Sequence, residues 1–310
     1  MRFISRLVPF LLCVVLLIGA FPFSAAALEA NGYSYIINED GVSATITGYN
    51  GTDTVLTIPS EIGGLTVTAI DERAFEAKST ITAVTVPASV KTIGTMAFYN
   101  CLSLETINLS PYTFDLGYQS FHNTAWFMNA EEGSLYIGRV FYSYVGTITD
   151  GQTITINYGT AAIAPYALSG RKKLHAVYLP VGLRKIGDCA FSSCTNLMEV
   201  RMPPSVTELG NSILLRSESA TVTCVIGSAV YQYVDDNNLY FMHDESLDYP
   251  AGDLNKDGVT NSTDYRKLML LLLDDTLSYD LDRYWSCDAE YDGTIDSSDV
   301  RALMKQTIAA

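Results

Sequence analysis

The dipeptide Ala-Phe stands at 74–75, 97–98 and 190–191, with Ser120-Phe121 and Ala167-Leu168 as variants. The step between successive occurrences is 23 residues, except from 97–98 by way of 120 to 167, where the last step is 47, two periods plus one. Such a period constrains the fold more than composition does. A unit this short has no room for a core of its own and must bury its apolar side against copies of itself, so a solenoid is expected. The unit is legible in "ITAVTVPASVKTIGTMAFYNC" from Ile81 to Cys101: a short alternating strand, a proline turn, apolar anchors at Val90 and Ile93, then Ala-Phe and a polar corner ending in Cys. "VYLPVGLRKIGDCAFSSC" and "VRMPPSVTELG" repeat it. Cys101 and Cys194 occupy the same place in distant units, which are not neighbours in a stack, and read as buried thiols.

These residues resemble the BspA-like bacterial leucine-rich repeats, whose units carry an Ala-Phe-x-x-Cys corner and a strand followed by proline. The likeness covers roughly residues 31–243. It implies a leucine-rich-repeat solenoid of short β-strands, one per repeat of about 23 residues. The opening "YSYIINEDGVSATITGYNG" predicts a hairpin turning at Asp40-Gly41 that covers the first repeat edge. "SAVYQYVDDNNLYF" predicts a short helix and strand at the far end, and the insert from Thr124 to Gly146 a hairpin over one face. Aligned units place Thr57, Thr85, Asn108, Thr155, Tyr178 and Arg201 in one outward column, with Ala83, Thr106, Ala176 and Glu199 beside it. Solenoids bind partners along such a sheet, and a threonine-rich face equally serves to keep a sheet solvated.

Residues 1–27 have the order of a secretory signal peptide: Arg2 and Arg6, the apolar run from Leu7 to Phe21, then the small residues "SAAA". The run of 15 residues is short for a membrane span, which needs about 20. Cys13 follows Leu12, where a lipoprotein signal has a small residue. Loss of the leader removes two of the 19 basic side chains and none of the 34 acidic ones, leaving a net charge of −17. Nucleic acid is a poor partner for that field. The five remaining cysteines form no evident disulfide framework.

No catalytic constellation is apparent, and the chain reads as a non-enzyme. His122, His175 and His243 lie far apart, without metalloprotease or triad spacing. Glycoside hydrolysis needs two carboxyl groups about 5 to 10 Å apart. Glu105 and Glu199 lie near the strand surface but several coils apart, at about 4.8 Å per stacked strand.

Near the C-terminus, oxygen-bearing residues recur at a fixed register. Counting Asp253 as position 1, "DLNKDGVTNSTD" places Asn255 at 3, Asp257 at 5, Val259 at 7, Asn261 at 9 and Asp264 at 12. The second copy, 35 residues on, has Asp288, Glu290, Asp292, Thr294, Asp296 and Asp299 at those positions. Calcium takes about six to eight oxygen ligands, which alternate side chains of a curled loop supply, with Gly258 or Gly293 at the sharp turn and position 7 offering its carbonyl. Before Asp253 stands "YPAG", which is no entering helix, while "YRKLMLLLL" and "VRALMKQTI" follow each position 12 at helical spacing.

This loop-helix pair resembles a type I dockerin over residues 251–308. The resemblance implies a small all-α module with two Ca2+ sites that plugs into a cohesin domain of a scaffold protein, as in a cellulosome. It carries over as cohesin contacts Ser262, Thr263, Arg266 and Met269 in one copy and Ser297, Ser298, Arg301 and Met304 in the other. Glu290 departs from the usual Asp or Asn, and Val259 precedes Thr260 where the apolar residue normally comes second.

The expected organisation is a signal peptide (1–27), a solenoid with an N-terminal hairpin cap (28–243), a linker (244–250) and a dockerin (251–310). The function implied is that of a secreted interaction protein of a polysaccharide-degrading complex. Its repeats would bind a protein, a cell surface or a polysaccharide, and they name no ligand. The alternatives are a hydrolase of such a complex, or an adhesin or inhibitor acting on a foreign protein. From Ala251 on, twelve acidic side chains face six basic ones, and convergent carboxylates repel until a divalent ion neutralises them. The full chain should therefore show a thermal transition that calcium raises and chelator abolishes, beside a repeat transition unmoved by either. Identical melts in calcium and chelator would exclude the calcium sites.

Overall fold

A computed structural model describes residues 27–243, 262–272 and 297–309. The expected leader up to residue 26, the linker 244–250 and the acidic loops up to Asn261 and Asp296 lie outside the described residues.

Each coil has three sides. The first carries a short strand, as in Val55–Thr57, Ala83–Thr85 and Thr106–Asn108, which pair in parallel. Its middle residue points inward, so Leu56 and Val84 are buried. The proline turn leads to a two-residue strand on the second side, such as Thr92–Ile93 and Asp115–Leu116, again parallel, with Ile93 and Leu116 inward. The third side is a run of turns holding the Ala-Phe pair. There the rings of Phe75, Phe98 and Phe121 stack at 4.7 and 5.2 Å, nearly parallel at 3° and 10°.

The turns are held from coil to coil. Phe75 N donates to Ala97 O and Phe98 N to Ser120 O, each at 2.8 Å, and Leu168 N to Ala190 O at 2.9 Å. The corner cysteines join in: Cys101 Sγ donates to Phe75 O and Cys194 Sγ to Leu168 O, both at 3.1 Å, and Ser217 Oγ replaces them one coil later by donating to Phe191 O at 2.8 Å. Burial pushes the Cys101 and Cys194 thiols up to about 11, so they are packing groups and poor nucleophiles. Close approach explains the glycine column 94, 117, 187 and 210. A Cβ at Gly94 would lie 2.5 Å from Glu72 N of the preceding coil, and one at Gly117 would lie 2.3 Å from Thr95 N.

Both ends are closed as expected. Tyr33–Ile37 and Ser43–Tyr49 form an antiparallel hairpin whose turn contains Gly41 at φ 69° and Asp40, which accepts from Val42 N and Ser43 N. At the far end the helix Ala229–Asp236, N-capped by Ser228, buries Val230 and Val234, and the strand Tyr240–His243 pairs with Thr221–Cys224.

The insert departs from expectation. Its strands Gly133–Ile137 and Val140–Val145 do form a hairpin, but the second strand joins the second-side ladder, pairing in parallel with Ala162–Ile163, instead of lying over a face. The reason is apolar residues on both faces of that strand. Val140 and Tyr142, with Ala162 and Ala164, close the core of the first stack, while Phe141 and Ile163 enter the core of the second. The coils are thus two stacks joined at a corner. At the join, Phe121 N has no next-coil carbonyl and donates instead to the Tyr142 hydroxyl at 2.9 Å. The same substitution ends the second stack, where Ile213 N donates to Tyr233 Oη at 3.0 Å.

Tyr142→Phe keeps the ring and orphans a buried N–H. Chemical denaturation should register a loss of about 1–3 kcal/mol. An unchanged midpoint would show that the hydroxyl is not the cap.

Candidate functional site

At the corner the outer faces of the two second-side ladders meet. Register places Thr92 and Asp115 in one outward column, and Lys185 and Glu208 in the other, in line with the buried Val140 and Ala162. Lys185 Nζ lies 2.6 Å from Asp115 Oδ1, across 70 residues of sequence, and 3.6 Å from Glu208 Oε2. Beside this bridge the rings of Tyr118 and Tyr166 meet at 4.7 Å, tilted by 53°. Both belong to the turns before the Phe corner, where Tyr166 at φ 59° adopts the left-handed conformation that the same turn imposes on Met96, Gln119 and Cys189.

The tyrosine pair divides a concave cleft into two lobes. One, of about 570 Å³, is bounded by Asp115, Lys185, Asp188, Thr207 and Glu208. The other, of about 550 Å³, is bounded by Gln119, His122, Phe127, Tyr144, Ser169 and Arg171. The charged groups are already engaged. Asp188 Oδ1 accepts from Asn211 N at 2.6 Å, and the Arg171 guanidinium donates to the carbonyls of Gly146 and Tyr144 and lies over the Tyr144 ring. His122 packs against Phe127 and Tyr99, and burial lowers its pKa, so the ring is neutral at pH 7.

The strand column expected from the repeats is in register but broken. Thr57, Thr85 and Asn108 align in the first stack, and Thr155, Tyr178 and Arg201 in the second, each in its own sheet, because the insert replaces the strand that would have joined them. Beside them Ala83 pairs with Thr106. Ala176, expected outward, is 1% exposed, its single methyl lying between the longer register neighbours Thr153 and Glu199. Glu105 is exposed next to the first-stack sheet, whereas Glu199 lies in the second-stack sheet and accepts from Tyr178 Oη. His175 and His243 are exposed on second-stack strands, away from His122.

Of the twelve expected calcium ligands, Asp264 and Asp299 are described, and both are fully buried in the first turn of a helix. Asp253, Asn255, Asp257, Val259 and Asn261 lie outside the described residues, as do Asp288, Glu290, Asp292, Thr294 and Asp296. The helices Ser262–Leu272 and Ser297–Ala309 begin at the same position of the two copies and lie against each other. Ser262, Thr263, Arg266 and Met269 are exposed, as are Ser297, Arg301 and Met304, while Ser298 is half-buried.

Sequence reading passed over Tyr118, Tyr166 and Lys185. Their only trace was the 47-residue step followed by an aromatic-rich insert, which marks a break in the stack without its direction.

Loss of the bridge can be measured. Lys185→Gln leaves Asp115 without its cation and should cost about 1 kcal/mol in urea denaturation, and exchanging the two residues should recover part of it. Equal stability of all three proteins would mean that the ion pair does not hold the corner.

The BspA type leucine-rich repeat region is matched in six copies over residues 56–131 and 136–237, the break falling where the insert's hairpin begins. Among solved structures, a leucine rich cell surface protein from Faecalibacterium prausnitzii is 25% identical over 65% of this chain, with a TM-score of 0.38. The chain spans 55% of that protein's length. A leucine-rich repeat protein from T. pallidum is 22% identical, covering 70% of this chain and 98% of its own, with a TM-score of 0.39. One from Bacteroides ovatus is 18% identical, covering 71% and 56%, with a TM-score of 0.32. No curated protein matches the chain. The matched repeats occupy more than half of the sequence, and the chain belongs to the BspA type leucine-rich repeat family.

Proposed function

We propose that this is an extracellular, non-catalytic interaction protein whose repeats bind a partner while a C-terminal dockerin, residues 251–310, attaches it to a cohesin domain of a scaffold. Export rests on the leader at 1–27. Among the described residues no helix is long and apolar enough to cross a membrane.

The observation that carries the attachment reading is the likeness of the two C-terminal helices. Each starts at loop position 10 and covers the position-12 carboxylate, Asp264 or Asp299, completely. A covered carboxylate needs donors or a cation to offset its lost hydration. The hard-oxygen sets Asp253, Asn255, Asp257, Asn261, Asp264 and Asp288, Glu290, Asp292, Asp296, Asp299, with the carbonyls of Val259 and Thr294, fit calcium. When bound, the ion would neutralise those carboxylates and link metal binding to folding of the module. The exposed side chains then match pairwise: Ser262 with Ser297, Arg266 with Arg301 and Met269 with Met304. Buried Leu268 needs only core packing to explain it, whereas exposed hydroxyls, guanidinium groups and thioethers at matched positions favour a shared binding face.

Two equivalent faces allow a cohesin to dock in either of two orientations. Converting Ser262-Thr263 to a bulky charged pair should leave calcium-dependent cohesin binding by the full chain largely intact, and so should converting Ser297-Ser298. The double conversion should abolish it. Loss of binding in either single variant would establish one fixed orientation, and no calcium-dependent binding of any type I cohesin by the unaltered protein would remove the dockerin reading itself.

A further inference from the structure

The corner cleft has no part in the proposed attachment, yet it gathers aromatic and polar groups around one concavity. Each lobe, at about 570 and about 550 Å³, falls in the range of small-ligand sites, roughly 300–1,000 Å³. At its centre Tyr166 is 44% exposed beside Tyr118. An aromatic face is electron-rich and attracts weakly positive C–H groups, so it suits a ligand with a flat apolar face.

Charge narrows the ligand further. Lys185 stands between Asp115 and Glu208, Asp188 is held by Asn211, and Arg171 is held by two carbonyls. A cationic peptide finds these carboxylates partly neutralised, and an anion meets three of them in one lobe. What the lining retains is hydrogen-bonding capacity. Carboxylate oxygens have several lone pairs each, an ammonium has three N–H donors, and the hydroxyls of Thr207 and Ser169 and the amide of Gln119 both donate and accept. A neutral molecule with many hydroxyls and C–H faces meets both demands at once, giving hydroxyl hydrogen to carboxylate and its C–H face to the rings.

We propose that the cleft binds a short neutral oligosaccharide, whose chain crosses the Tyr118–Tyr166 pair and places sugar rings in both lobes. This rests on the reading of the repeats as a binding module and is independent of the dockerin. Unlike the strand columns, which the insert breaks in two, the cleft exists only because the insert turns the stack.

The test is calorimetric titration of the full chain with cellohexaose, xylohexaose, maltohexaose and mannohexaose. Saturable binding of at least one is expected, weakened about tenfold by Tyr166→Ala and much less by Tyr166→Phe, which keeps the ring. Thermal melts would verify that the variants fold, and cohesin binding should be unchanged in both. Glu208→Gln, which alters an acceptor and leaves the rings in place, should weaken the same glycan. Absence of binding at millimolar glycan overturns the proposal, as does equal binding by folded Tyr166→Ala and Tyr118→Ala variants. Release of reducing sugar from the bound glycan would support the site and overturn the non-catalytic reading.

Discussion

Contact between one coil and the next is the constraint on which everything else in this molecule depends. No coil has an inside of its own: the Phe75, Phe98 and Phe121 rings bury one another, and the amides of each corner are satisfied by carbonyls of the following corner. The glycine column follows, because coils that share hydrogen bonds at this spacing leave no volume for a Cβ. So do the thiols, since a cysteine is small and apolar enough to be buried and still carries a donor for the carbonyl of the preceding coil. The left-handed residues of the turns, most of them not glycine, are held in that strained region by the same ladder.

A structure built by propagation has its difficulty at its ends. Wherever a coil lacks a successor, a buried N–H loses its acceptor. This chain answers twice with the same device, a tyrosine hydroxyl reaching in from the capping element, Tyr142 at the corner and Tyr233 at the far end. The corner is therefore an end and a beginning together. The strand Val140–Val145 closes one stack with one face and opens the next with the other, a role that a strand with one polar face could not fill.

The proposed binding cleft follows from where that joint falls. An uninterrupted ladder would have offered one long, shallow, threonine-rich sheet. The corner instead folds two outer surfaces toward each other, bringing Asp115 against Lys185 and Tyr118 against Tyr166, so that concavity arises from architecture and not from a dedicated loop. The proposed attachment uses other residues, the paired exposed side chains of the two C-terminal helices.

Much of the repeat stack was legible in the sequence. The Ala-Phe spacing determined the coil length, the inward residues, the burial of Cys101 and Cys194 and the register that aligns Thr57 with Thr85, because a period recurs only where each unit meets the same neighbour. The Asp40-Gly41 turn and the far-end helix were legible for a local reason: turn chemistry and helical spacing act over a few residues. The expectation that the loop residues form calcium sites likewise rests on spacing, and of those sets Asp264 and Asp299 are described, buried in matching helix starts. Tertiary structure alone decided the rest. The insert's aromatic and β-branched residues predict a hairpin, but which ladder it joins depends on the packing of Val140 and Tyr142 against a core formed more than twenty residues earlier. Left-handed turns at Met96, Gln119, Tyr166 and Cys189 carry no local signature, since those residue types do not favour that conformation by themselves. The Lys185–Asp115 bridge and the Tyr118–Tyr166 pair join residues 70 and 48 apart in sequence, and no one-dimensional pattern records a distance that exists only after the stack has turned.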